Sequence, residues 1–121
     1  MSDDALRRLR EVCLALPEAT EKASFGTVPT FRVRDKIFAL FQDNHHNDGR
    51  VGLWCKAPPG LQEALVASDA ERYYVPPYVG HNGWIGVRLD GDVDWKRVAE
   101  FVEDSYLLIA PKRLAALLSA D

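Results

Sequence analysis

Apolar and polar residues alternate through the middle of the chain and recur at helical spacing at both ends. Near the N-terminus, Ala5, Leu9, Val12, Cys13 and Leu16 share one side of a 3.6-residue repeat, with Leu6 beside them. This predicts an amphipathic helix over residues 3–16. Ser2 or Asp3 is placed to cap it, and Pro17 disfavours helical geometry at Leu16 and so ends it. From Glu18 to Lys56 the period drops to two. Thr30–Arg34 predicts a strand with Phe31 and Val33 on one side and Thr30, Arg32 and Arg34 on the other. Asp35-Lys36 turns the chain into Ile37–Phe41, which is apolar on both faces and therefore expected at the centre of a sheet. Gln42–Gly49 reads as a polar hairpin loop. Arg50–Lys56 is the next strand, with Val51, Leu53 and Cys55 toward the core and Arg50, Trp54 and Lys56 away from it.

Ala57-Pro58-Pro59-Gly60 breaks that strand and feeds a short helix from Leu61 to about Ser68, expected to bury Leu61, Ala64 and Leu65. Asp69–Arg72 is a turn. Over residues 73–84 two prolines, a Gly-His-Asn-Gly turn and Tyr73, Tyr74, Tyr78 and Trp84 crowd together, which predicts a rigid, shaped edge to the sheet. A strand follows, with Ile85, Val87 and Leu89 inward and Trp84 and Arg88 outward. After the turn at Asp90–Asp92, Asp92 or Asp94 caps a long helix whose stripe is Trp95, Val98, Phe101, Val102, Tyr106 and Ile109. Pro111 suits the first position of a final helix carrying Leu114, Leu117 and Leu118. The order predicts an α+β fold: a two-layer sandwich in which an antiparallel sheet has the N- and C-terminal helices packed on one face. The second face would then carry Arg32, Arg34, Trp54, Lys56, Trp84 and Arg88.

Length and composition fit this picture. A chain of 121 residues forms one domain, residues 1–121, with a core that needs no staples. No apolar run reaches the roughly 18 residues of a membrane helix. Met1–Asp4 is acidic with no apolar stretch after it, so no secretory signal is read and a cytoplasmic location is expected. Cys13 and Cys55 both lie in apolar patterns and are expected reduced. The net charge of −3 hides a basic middle: residues 22–56 hold Lys22, Arg32, Arg34, Lys36, Arg50 and Lys56 against Asp35, Asp43 and Asp48. That is net +3 within a chain whose ends are acidic.

The chain resembles the MmcQ/YjbR family, small proteins with a fold similar to CyaY and frataxin. The resemblance is carried by Leu16-Pro17-Glu18 after the first helix, Thr30–Val33 followed by Lys36–Ala39, Leu53–Ala57, Pro76–Trp84, and Ser105-Tyr106 late in the long helix. It implies a DNA-binding role through paired hairpin wings and brings no catalytic residues with it.

Other chemistries find less support in the residues. His45 and His46 beside Asp43 and Asp48 point to opposite sides of the chain and have no third histidine nearby, so no metal or other cofactor is expected. His81 has no partnered nucleophile and reads as a turn residue. Cys55 shares the parity of Val51 and Leu53, so it reads as core. An acidic ridge for iron on the first helix is interrupted by three arginines. The expected function is therefore a non-catalytic one. The residues expected to contact nucleic acid or a partner are Arg32, Arg34, Lys36, Trp54, Lys56, Tyr78, His81, Trp84 and Arg88, with DNA bound weakly and salt-sensitively. The alternatives are a protein-interaction module using the same Trp-rich surface and, third, an enzyme with a pocket near Tyr78–Trp84. A monomer or weak dimer is expected.

Overall fold

The computed structural model describes residues 2–44 and 49–118. Six strands, β1 (Thr20–Ser24), β2 (Val28–Val33), β3 (Lys36–Asp43), β4 (Val51–Lys56), β5 (Tyr73–Tyr74) and β6 (Trp84–Arg88), form one antiparallel sheet in the order β1-β2-β3-β4-β6-β5. The helices are α1 (Ser2–Leu14), α2 (Leu61–Ser68), α3 (Trp95–Ile109) and α4 (Lys112–Leu118). The fold is α+β, as the alternation of periods implies. No helix among the described residues is long and apolar enough to cross a membrane. His45, His46 and Asp48 lie outside the described residues.

The main core lies between the sheet and the helices. Phe31, Val33, Leu53, Cys55, Ile85 and Val87 line the sheet side, and Leu9, Cys13, Val98 and Val102 meet them from α1 and α3. Val51 packs against the same cluster while partly exposed. The strand parities therefore hold. Cys13 and Cys55 are both buried and free, and burial pushes both thiols well above their ordinary pKa.

Ser105 joins helix to sheet where the β3–β4 ladder ends. Its hydroxyl donates to the Phe38 carbonyl at 2.6 Å and accepts from the Lys56 N–H at 2.9 Å, so two backbone groups are satisfied by one buried side chain. The Tyr106 ring stands edge-on to Phe38, with its hydroxyl donating to the Pro17 carbonyl at 2.7 Å. Of the two aspartates expected to cap α3, Asp94 does so, accepting from the Arg97 N–H.

Several expectations shift. Two strands, β1 and β5, had no alternation strong enough to announce them: Thr20–Ser24 carries a single partly buried charge among polar positions, and β5 is two residues long. α1 ends at Leu14, where the Leu16 N–H bonds to the Cys13 carbonyl. In α2, Gln62 is buried in place of Ala64, which is exposed.

Candidate functional site

The second face of the sheet can be read off the register. One row across it runs Lys22, Thr30, Leu40, Trp54, Gly86, Tyr74, each residue opposite the next. Gly86 and Gly52 have no side chain, and the Tyr74 ring fills the space above them. A Cβ on Gly86 would lie 2.3 Å from Tyr74 Cε2, and one on Gly52 would lie 2.3 Å from the Tyr74 hydroxyl. This aromatic cover accepts a hydrogen bond from Trp54 Nε1 at 3.0 Å, and the Arg50 guanidinium sits 4.1 Å from the Tyr74 ring centre. Leu40, Trp54 and Tyr74 thus form a second small core on the face away from the helices.

Two loops rise over this face. Between β1 and β2, Phe25-Gly26-Thr27 makes a tight turn in which Phe25 (φ 52°) and Gly26 (φ 89°) are both left-handed. Phe25 is 74% exposed. On the other side the segment 75–83 is held down by buried Gln62, whose amide donates to the carbonyls of Gly80 (2.7 Å) and Trp84 (2.6 Å). Gly80 lets that turn close, because a Cβ there would meet Val75 Cγ1 at 2.4 Å. The result presents Tyr78, also left-handed (φ 69°) and 69% exposed. Bulky residues in this backbone region carry strain that tends to gather at ligand clamps and turns.

Between Phe25 and Tyr78 lies a groove of about 400 Å³ lined by Ile37, Leu40, Gln42, Trp54, Val79 and Trp84. Its surface is almost wholly apolar. Gln42 supplies the sole amide side chain, and among the described residues that amide has no hydrogen-bond partner.

The residues expected to make a basic contact surface are placed as follows. Arg32 is on the second face but largely covered. Its guanidinium is tied to Thr30, Ser24 and Asp35, the last at 3.3 Å. Arg88 is likewise on this face and pairs with Asp90 at 3.0 Å. Arg34 is not on the face at all. It opens the two-residue β2–β3 turn in left-handed geometry with Asp35, and pairs with Glu18 at 2.7 Å close to Tyr106. Lys36 stands opposite Val33 at the hairpin end, exposed. Trp54 is 3% exposed, so its ring is a wall of the groove's floor and not an open stacking platform. Trp84 is half-buried and Tyr78 open, and both line the groove. His81 lies elsewhere, in the short 3-10 turn Gly80–Asn82, where with Lys56 and Glu63 it lines a separate recess.

Asp90 and Glu18 sit below the usual carboxylate range because Arg88 and Arg34 donate to them. Among the described residues no group of three or more His, Cys, Asp or Glu is arranged to hold a metal. Sequence reading missed Phe25, Ile37, Leu40, Gln42 and Val79 as site residues. Phe25-Gly26 next to a polar run was the available signal, since an aromatic at a turn has nowhere to be buried locally.

Fold and groove together define a small α+β domain whose sheet is helix-covered on one face and, on the other, carries an aromatic-rimmed apolar trough. The YjbR family model matches residues 14–108, and the chain belongs to the YjbR family. A similar solved structure is that of the Deinococcus radiodurans protein DR2400, described as a DUF419 domain. It shares 24% identity with a TM-score of 0.76, over 94% of this chain and 87% of that one. No curated protein matches.

Proposed function

We propose that this protein is a non-catalytic binding module that grips a protein partner by one or two apolar side chains laid into the groove over β3 and β4. The observation that carries this reading is the lining of the groove: aromatic and aliphatic side chains around one amide, Gln42, while the arginines of the same face are engaged by carboxylates of their own chain. An apolar concavity with exposed aromatics at its rim is where interface anchors bury most of their surface. The groove faces solvent in a cytoplasmic monomer or weak dimer, the state the sequence leads one to expect.

Nucleic-acid binding is the second reading. It is supported by Lys22 and Lys56, which have no salt-bridge partner among the described residues, and by the open rings of Phe25 and Tyr78, which are suited to stacking. On that reading about three phosphates are neutralised, and log K falls with log salt at a slope of about −3, from roughly −0.9 per phosphate.

Peptides selected from an unbiased library on the whole protein, then titrated by tryptophan fluorescence at low and high salt, test the choice. Binding that loses little affinity in salt and disappears in Tyr78→Ser and Phe25→Ser supports the protein-docking reading. Oligonucleotide binding with the steep slope, in the absence of any selected peptide, replaces it with the nucleic-acid reading.

A further inference from the structure

The geometry points to the chemistry of the docked segment: an extended stretch with apolar side chains at its centre and two carboxylates on one side of it, about four residues apart. This inference rests on the groove being a protein-docking site.

The strand positions on the second face hold Lys22, Arg32, Lys56 and Arg88 and no aspartate or glutamate. The turn carboxylates Asp35 and Asp90 answer Arg32 and Arg88. Lys22 and Lys56 are left without a salt bridge among the described residues, so the groove's face is locally positive within a chain of net charge −3. A partner matched to both properties is apolar in the middle and acidic at its flanks.

The spacing follows from the register. Lys22 shares a row with Thr30, Leu40 and Trp54. Three strand spacings of about 4.8 Å put it roughly 14 Å from the Trp54 position. Lys56 stands two residues further along β4, beside Trp84, which adds about 7 Å at right angles. The diagonal between the lysines is about 16 Å and crosses the groove; because alternate side chains of an extended chain face opposite sides, the carboxylates that face both lysines stand about four residues apart, a span of about 13 Å that the long side chains extend. The apolar centre supplies most of the affinity, and the two exposed ion pairs select among segments, each by about fivefold at most.

The probe is a blocked peptide of about eight residues, with a central Leu-Phe pair and glutamates placed four apart around it, so that the Phe and both glutamates face the same side. Companions carry lysines or glutamines at those two positions, or Ser-Gly at the centre. Binding is read by tryptophan fluorescence and by amide shifts of groove residues. The glutamate peptide is expected to bind about tenfold tighter than the glutamine one, from two exposed ion pairs. The Ser-Gly peptide is expected not to bind, and Lys22→Glu with Lys56→Glu should invert the preference in favour of the lysine peptide. Equal affinity of the glutamate, glutamine and lysine peptides at the groove overturns the charge inference and leaves the docking reading standing. If none of them shifts the groove amides while oligothymidylate does, both fall. Shifts that grow with protein concentration and resist every peptide assign the groove to a second copy of the chain, and overturn the inference too.

Discussion

At the scale of single residues, Tyr74 decides what the second face can do. Its ring depends on two absent side chains, and its hydroxyl on the indole of Trp54. Gly86→Ala drives a methyl into ring carbons at 2.3–2.6 Å and leaves Tyr74 no room to lie flat. The expected cost is about 1–3 kcal/mol, as for overpacking in a dense core. Tyr74→Phe keeps the ring and removes the acceptor, which is expected to cost about 1–2 kcal/mol. Urea unfolding followed by tryptophan emission checks both. The alanine variant is also expected to redden the native emission, because displacing Tyr74 wets Trp54. Unchanged native emission in Gly86→Ala would show that the tyrosine is not what keeps Trp54 dry.

At the scale of elements, helix and sheet are coupled by a hydroxyl where the β3–β4 ladder stops. Ser105→Ala leaves the Phe38 carbonyl and the Lys56 N–H without the partner that serves both. A loss of about 1–3 kcal/mol for each buried group left unpaired is expected, measured as a lower denaturation midpoint at unchanged slope. Ser105→Cys should be milder, since a thiol still offers a weak donor. This coupling shows what the sequence made legible. The burial of Val98, Phe101, Val102 and Tyr106 follows from helical spacing, and the inward set on β2, β4 and β6 follows from alternation. Ser105 gives no such signal, because a serine within an apolar stripe looks the same whether it faces solvent or two backbone groups. The site was half legible for a similar reason. Parity put Trp54, Trp84 and Arg88 on the second face. It could not foresee that Tyr74 would cover Trp54, that a left-handed turn would carry Arg34 to Glu18, or that Phe25 would close the groove from β1. Those outcomes depend on loops, where φ near +50° to +70° overrides alternation.

At the scale of the whole molecule, the charges are arranged so that folding lowers carboxyl pKa values. Asp4, Glu18 and Asp90 are each held below the ordinary range by an arginine: Arg7, Arg34 and Arg88. A carboxyl with a lower pKa in the folded than in the unfolded chain stabilises the fold above its unfolded value, roughly pH 4, and that contribution is lost as pH falls through the folded value. The denaturation midpoint is therefore expected to hold steady from neutral pH down to about 5 and to fall below about 4. All three pairs are at or near the surface, so added salt should shrink the fall. A midpoint that fell already between about pH 7 and 6 would point instead to a histidine.

The two buried thiols lie under different helices, Cys13 on α1 and Cys55 on β4 against the Phe101 carbonyl of α3. Raised pKa values keep both protonated at neutral pH, and no solvent reaches them while the helices stay down. A thiol-specific reagent in the surrounding solution therefore reacts only as fast as the layer lifts, and the chain holds two clocks for the same event. Equal labelling rates at the two sulfurs would mean that α1 and α3 leave the sheet as one body. A faster Cys13 would mean that the N-terminal helix peels first, and that the second face can keep its shape while the core behind it begins to open.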